Sequence, residues 1–333
     1  MRRAVIAGTG LYAPGRAIPN AEFNERYGMD VDAFLVQNRN IRFRHFMAPE
    51  QATSDLVVPA ARQALAEAGI GAEALDLIIV STDTPDYLSP STASVVQYKL
   101  GARNAGTFDV NTACAGFVTA LDMAGKYIAA DESYRHILVV GAYGMSKFLD
   151  WDDYKLATLF ADGAGAVVVK AGEEGGPGLL ASKLYADGSF HDYMGLYAGG
   201  TWKPTSAETL AKGDHRLRFV KKFPPETNPS HWPRLIRAVL AKIGKQPTDV
   251  DHFFFTQINV FSIHETLEIL GVPREKSHNV MDRFAYTGSA CIPMALADAA
   301  DQHRLRRGDL VVLMGSGGGL AMAALALEWG YDS

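Results

Sequence analysis

Short apolar runs recur along the chain between Gly, Asp and Ser: Ala4–Ala7, Leu77–Val80, Ile137–Val140, Gly165–Val169, Phe253–Phe255 and Leu310–Met314. These runs are apolar at consecutive rather than alternate positions, which predicts strands covered on both faces. Helical periodicity separates them, as in Ser54–Ala68 and Trp232–Ile243. Strands alternating with helices of that length predict an α/β fold with largely buried sheets. The most irregular stretch, Gly188 to about Pro229, is rich in Gly, Pro, His and Trp and predicts a functional excursion rather than a linker.

The pattern also repeats. Leu65-Ala66-Glu67-Ala68-Gly69 before Leu75-Asp76 returns as Leu240-Ala241-Lys242-Ile243-Gly244 before Val250-Asp251. The same offset lays Thr112-Ala113-Cys114-Ala115 onto Thr287-Gly288-Ser289-Ala290, and a slightly different one pairs Ile137–Val140 with Leu310–Leu313. Three matches in order predict a duplicated α/β unit, its halves spanning 1–172 and 173–333. Two such halves stacked face to face would bury a central helix pair and bring the Cys114 and Ser289 segments together.

Bulk properties narrow the function. At 333 residues, with 21% charged and 48% apolar, the chain reads as an ordinary globular enzyme. A formal charge of −5 gives no case for nucleic acid, and no apolar run reaches the ~18 residues of a membrane span. The first apolar stretch breaks at Gly8, too early for a signal segment, so a cytoplasmic setting is expected. Two cysteines, Cys114 and Cys291, build neither a disulfide framework nor a metal site.

The chemistry gathers at Cys114. Phe108 to Phe117 reads as a strand turning sharply into a helix, with small Ala113, Ala115 and Gly116 at the turn. A thiol at a helix N-terminus meets the positive end of the dipole and free N–H groups, which favour thiolate and can hold a thioester oxyanion. From these residues alone, Cys114 is either that nucleophile or a small buried hydrophobe. Cys291, beside Ala290 and Ile292-Pro293, reads as core.

The chain resembles the β-ketoacyl-acyl-carrier-protein synthase III group of the thiolase superfamily over essentially its whole length. The resemblance rests on Gly8-Thr9-Gly10, Ser81-Thr82-Asp83-Thr84-Pro85-Asp86, Asp109–Phe117 and Ala161-Asp162-Gly163-Ala164-Gly165. Gln257, Asn259, Ser289–Pro293 and Gly315–Leu320 complete it. It implies a thiolase-like five-layered αβαβα fold, a homodimer, and Cys114 as acceptor of an acyl group from a coenzyme A or acyl-carrier-protein thioester. No further cofactor or metal is implied.

In the family, a His and an Asn on the second half hold and protonate the carbonyl of a malonyl thioester. The matching positions here are Thr256, in Thr256-Gln257-Ile258-Asn259, and Tyr286, in Ala285-Tyr286-Thr287-Gly288. A threonine cannot act as a base near neutral pH, and Tyr286 offers one phenolic donor. His252, His264 and His191 are candidate substitutes, His191 first. The resemblance places Phe34, Asn38 and Tyr154 where the family grips coenzyme A with a Trp and two Arg, which implies weaker or different recognition of it; Arg39 sits one residue away, and Asn259 is a further candidate for substrate binding. Lys221 and Lys222 are candidates for meeting an acidic carrier protein. The oxyanion hole falls to the N–H of Cys114 and an amide near Gly318. The Gly315–Gly319 run lacks the Lys-Ser/Thr of a phosphate loop and reads as a tight turn. The expected reaction is a condensation of fatty-acid or polyketide type. The alternatives are acyl transfer to oxygen, nitrogen or sulfur without decarboxylation, or a weakly active partner subunit.

Overall fold

The computed structural model describes residues 2–332. Its first sheet holds β1 (Arg2–Tyr12), β2 (Leu77–Ser81), β3 (Gly106–Val110), β4 (His136–Tyr143) and β5 (Gly163–Glu174) in the order β1-β5-β4-β2-β3. The second holds β6 (Gly178–Ala186), β7 (His252–Phe255), β8 (Leu310–Gly317) and β9 (Ala321–Glu328) in the order β6-β9-β8-β7. β2 runs parallel to β4, as β7 does to β8; β5 and β9 then pair antiparallel to both of their neighbours. The second sheet thus repeats the first four strands of the first. An isolated parallel bridge from Phe253 to Ser277 stands where the fifth would be.

Every residue of β2 is buried, as its unbroken Leu-Ile-Ile-Val-Ser run requires. Helix α1 (Thr53–Ala68) and α2 (Thr92–Leu100) cover the outer face of the first sheet; α4 (Thr227–Ala241) covers that of the second, with α5 (Val260–Leu270) packed against α4. Between the sheets lie α3 (Gly116–Ala130) and α6 (Cys291–Asp301), touching both. α6 is buried from Cys291 through Ala300, which explains its near absence of polar residues. Five layers result.

The repeat extends to single dihedrals. Ala113 has φ 46°, and Gly288, its counterpart 175 residues on, has φ 47°. A left-handed conformation is normal for Gly but costs an Ala of order 1 kcal/mol, so the cysteine turn is held by its surroundings.

The predicted strands all form, most of them longer than their apolar cores. Two differences stand out. α4 begins at Thr227, five residues before the predicted start, because Pro229 sits in the first turn where no N–H is needed and Pro233 is tolerated inside. β6 and β9 carry few β-branched residues, and they form because each is paired along its length.

Candidate active site

Three glycines and two hydrogen bonds fix the cysteine turn, and a fourth glycine shapes its counterpart in the second half. Asn111 Oδ1 accepts from Ala113 N at 3.1 Å, and Gly116 N donates to Ala113 O at 2.9 Å before α3 starts. A Cβ on Gly116 would lie 1.9 Å from Ser81 Oγ; one on Gly317 would lie 2.5 Å from Cys114 N. One on Gly315 would lie 2.9 Å from Ala115 Cα, and one on Gly288 2.4 Å from the Tyr143 ring. Only glycine lets these backbones approach so closely.

Cys114 lies at the floor of a cavity of about 630 Å³, which is in the range of small-molecule sites. Leu156, Leu159, Met194, Phe219, Phe223 and Leu320 give it apolar walls. Met194 and Phe219 come from the small two-stranded sheet of the irregular excursion, which therefore builds one wall. Phe34, Arg39, Asn259, Lys222, Tyr286 and Gly318 also line the cavity. Arg39 stacks over Phe34 at 5.4 Å and donates to Ile258 O at 3.1 Å, while Asn259 caps α5 through Phe261 N at 3.0 Å.

The expectation of a ready thiolate needs correction. Cys114 is 2% exposed, and its thiol is pushed well above its ordinary value. Burial is the main cause, followed by the Asp83 charge and Cys291; the Tyr286 phenol and a backbone N–H pull the other way. Desolvation is the largest of these influences and favours the neutral thiol. Tyr286 is pushed up as well, first by burial, and so remains a phenol able to donate to Cys114 sulfur. Burial raises Asp83 to about 6, and its Oδ1 is enclosed without a hydrogen-bond partner. Cys291, core as predicted, is raised to about 12 by burial.

Several other candidates sit elsewhere. Thr256 does not line the cavity: it is 1% exposed, and its hydroxyl accepts from Ser316 N at 2.8 Å and donates to Ser316 O at 3.3 Å. It clasps the ends of β7 and β8. Asn38 turns back to Ala33 O at 2.7 Å, and Tyr154 packs edge-on against Phe34 behind the cavity wall. Lys221 is taken by Asp192 at 2.6 Å, so of the two lysines only Lys222 faces the cavity mouth. His191 is exposed beside Gly188 O, and His252 pairs with Asp309 at 3.2 Å at the far end of β7. His264 lies on α5, and no histidine lines the cavity among the described residues.

Two further polar residues of the wall were not singled out as site residues in the sequence. Ser316 Oγ donates to Asn228 Oδ1 at 3.2 Å, and both face the cavity. Their partnership spans 88 positions, and Asn228-Pro229 reads locally as a turn.

Comparison with known proteins matches residues 108–188 to the model of 3-oxoacyl-[acyl-carrier-protein] synthase III and residues 240–329 to that of its C-terminal part. The chain is 38% identical to the β-ketoacyl-[acyl-carrier-protein] synthase III of Rhodobacter capsulatus, covering 98% of this chain and 99% of that one. It is 37% identical to the 3-oxopimeloyl-[acyl-carrier-protein] synthase of Rhodothermus marinus, over 98% and 94% of the two chains. A crystal structure of 3-oxoacyl-(acyl carrier protein) synthase III from Pseudomonas aeruginosa PAO1 superposes with a TM-score of 0.90 at 32% identity, covering all of both chains.

Proposed function

The chain belongs to the 3-oxoacyl-[acyl-carrier-protein] synthase III family, and from that premise we propose how its own residues carry a condensing acyl transfer. Cys114 attacks the carbonyl of a coenzyme A or acyl-carrier-protein thioester. The oxyanion meets the N–H of Cys114 and an amide near Gly318. The thiolate of the donor leaves, and the acyl group passes to a second thioester in a carbon–carbon bond-forming step of fatty-acid or polyketide type. The observation that carries this reading is a cysteine on a strained turn at the floor of an apolar cavity.

Thr256 and Tyr286 stand in the places of the family's His and Asn. Arg39 over Phe34 and Lys222 at the mouth support binding of a phosphopantetheine arm, with its carrier protein outside. A homodimer is supported by the free outer edge of β3 and by Tyr87, Leu88 and Tyr98, exposed at 57%, 84% and 85%. The halves 1–172 and 173–333 follow the two sheets, with β5 running two residues past the division. Both cysteines are free, in keeping with the reducing cytoplasm. One observation favours transfer to oxygen, nitrogen or sulfur instead: no histidine lines the cavity among the described residues.

Intact-mass analysis after incubation with acyl-coenzyme A and with acyl-carrier protein should show a single acyl adduct, absent in Cys114→Ala. No adduct from any donor would overturn the reading.

A further inference from the structure

We propose that Asn228 is a catalytic hydrogen-bond donor that, with Tyr286, holds the thioester carbonyl of the second substrate and stabilises its enolate. The inference rests on the condensing reading above and assigns the residues that make it workable without a histidine.

The loss of carbon dioxide from a malonyl-type thioester needs no base. The carbon–carboxylate bond breaks, its electron pair becomes the enolate, and the enolate carbon attacks the acyl carbon on Cys114. The carbon–sulfur bond then breaks, and its electrons return to the sulfur, which takes a proton from solvent. The protein's task is to supply donors where negative charge gathers on the enolate oxygen.

Asn228 meets that requirement by its fixation. Ser316 Oγ occupies its Oδ1, leaving Nδ2 as the free end. Among the described residues nothing accepts from Nδ2, and it is not one of the enclosed, unpartnered atoms, so it opens to the cavity that Asn228 lines. Ser316 is fixed in turn, because Thr256 Oγ1 holds both its N–H and its carbonyl. The glycines on either side of Ser316 press on Ala115 and on Cys114 N, which sets the distance from this relay to the nucleophile. Thr256 is therefore a positioning residue, two links from Asn228 and three from the substrate. Tyr286, a phenol kept protonated by burial and within hydrogen-bond reach of Cys114, supplies the second donor, from the same half as Asn228.

The test measures carbon dioxide from carboxyl-labelled malonyl-acyl-carrier protein in a Cys114→Ala background, where release does not wait for acylation. Cys114→Ala alone should release it above the enzyme-free rate. Adding Asn228→Ala, or Asn228→Asp where the alanine variant folds poorly, should cut release by about 10²–10³-fold, the usual loss for one oxyanion donor. Release unchanged by either variant, or none from Cys114→Ala, overturns the proposal. So does a parallel fall in Cys114 acylation by acyl-coenzyme A in the Asn228 single variant, which would mark a structural role. Failure of the wild type to form any adduct counts against the transfer reading instead, since the release assay needs no adduct.

Discussion

Tyr286→Phe isolates one hydroxyl. The ring remains, with its packing against Phe160 at 5.5 Å between centroids, while the donor to Cys114 is lost. A hydrogen bond to a charged group contributes about 1.5–3 kcal/mol, so losing it should raise the thiol further by about one to two pH units. Below that value the thiolate fraction falls by roughly 13- to 160-fold. A more basic thiolate is also a better nucleophile, with a Brønsted slope near 0.45, which restores roughly 3- to 10-fold. The net expectation is roughly a 4- to 16-fold slower alkylation of Cys114 by iodoacetamide at any pH below the thiol's own value. The rate should still rise tenfold per pH unit in both proteins, and Cys114→Ala should remove the signal. An equal or faster rate in Tyr286→Phe would refute the reasoning, because it would mean that the phenol does not favour the thiolate.

Asp83→Asn should stabilise the protein at pH 7 by about 1–3 kcal/mol and leave it unchanged near pH 3. Burial raises the folded carboxyl to about 6 against an ordinary value near 4, so the folded state binds the proton more tightly and loses that advantage as pH rises through about 6. Urea denaturation at both pH values checks it, and an equal effect at each would count against the assignment. Thr256→Val should lower stability by about 1–3 kcal/mol, because the buried Ser316 N–H loses its side-chain acceptor. It should also slow condensation more than Cys114 acylation, as loosening of the relay to Asn228 requires; the urea midpoint and the two half-reaction rates measure these effects.

The crowded turn at Cys114 was legible because its constraints are local. Small residues around Cys114 announce a crowded turn, and the crowding is real at Ser81 and Gly317. The duplication was legible because two copies of one topology keep the same element spacing. Charge state was not: the helix start can be read from Ala115 and Gly116, but the depth of burial that raises Cys114 depends on β8 and Tyr286 folding over it. Thr256 shows the same limit. The direction of its hydroxyl is set by Ser316, 60 residues away. Asn38 and Lys221 were misplaced for a related reason, since each had a nearer partner in Ala33 O and Asp192.

The matched turns at Ala113 and Gly288 divide labour between twins. Both present the next side chain at the same bend near the centre of the molecule. In the first half that side chain is the thiol facing the cavity. In the second it is Ser289, whose hydroxyl donates to Ala142 O at 2.7 Å and ties the two halves together. The working copy bends through an alanine and carries the strain, whereas the fastening copy bends through a glycine and carries none. A duplicated chain can thus keep one bend under tension for chemistry while its relaxed double serves as the rivet that holds the tension in place.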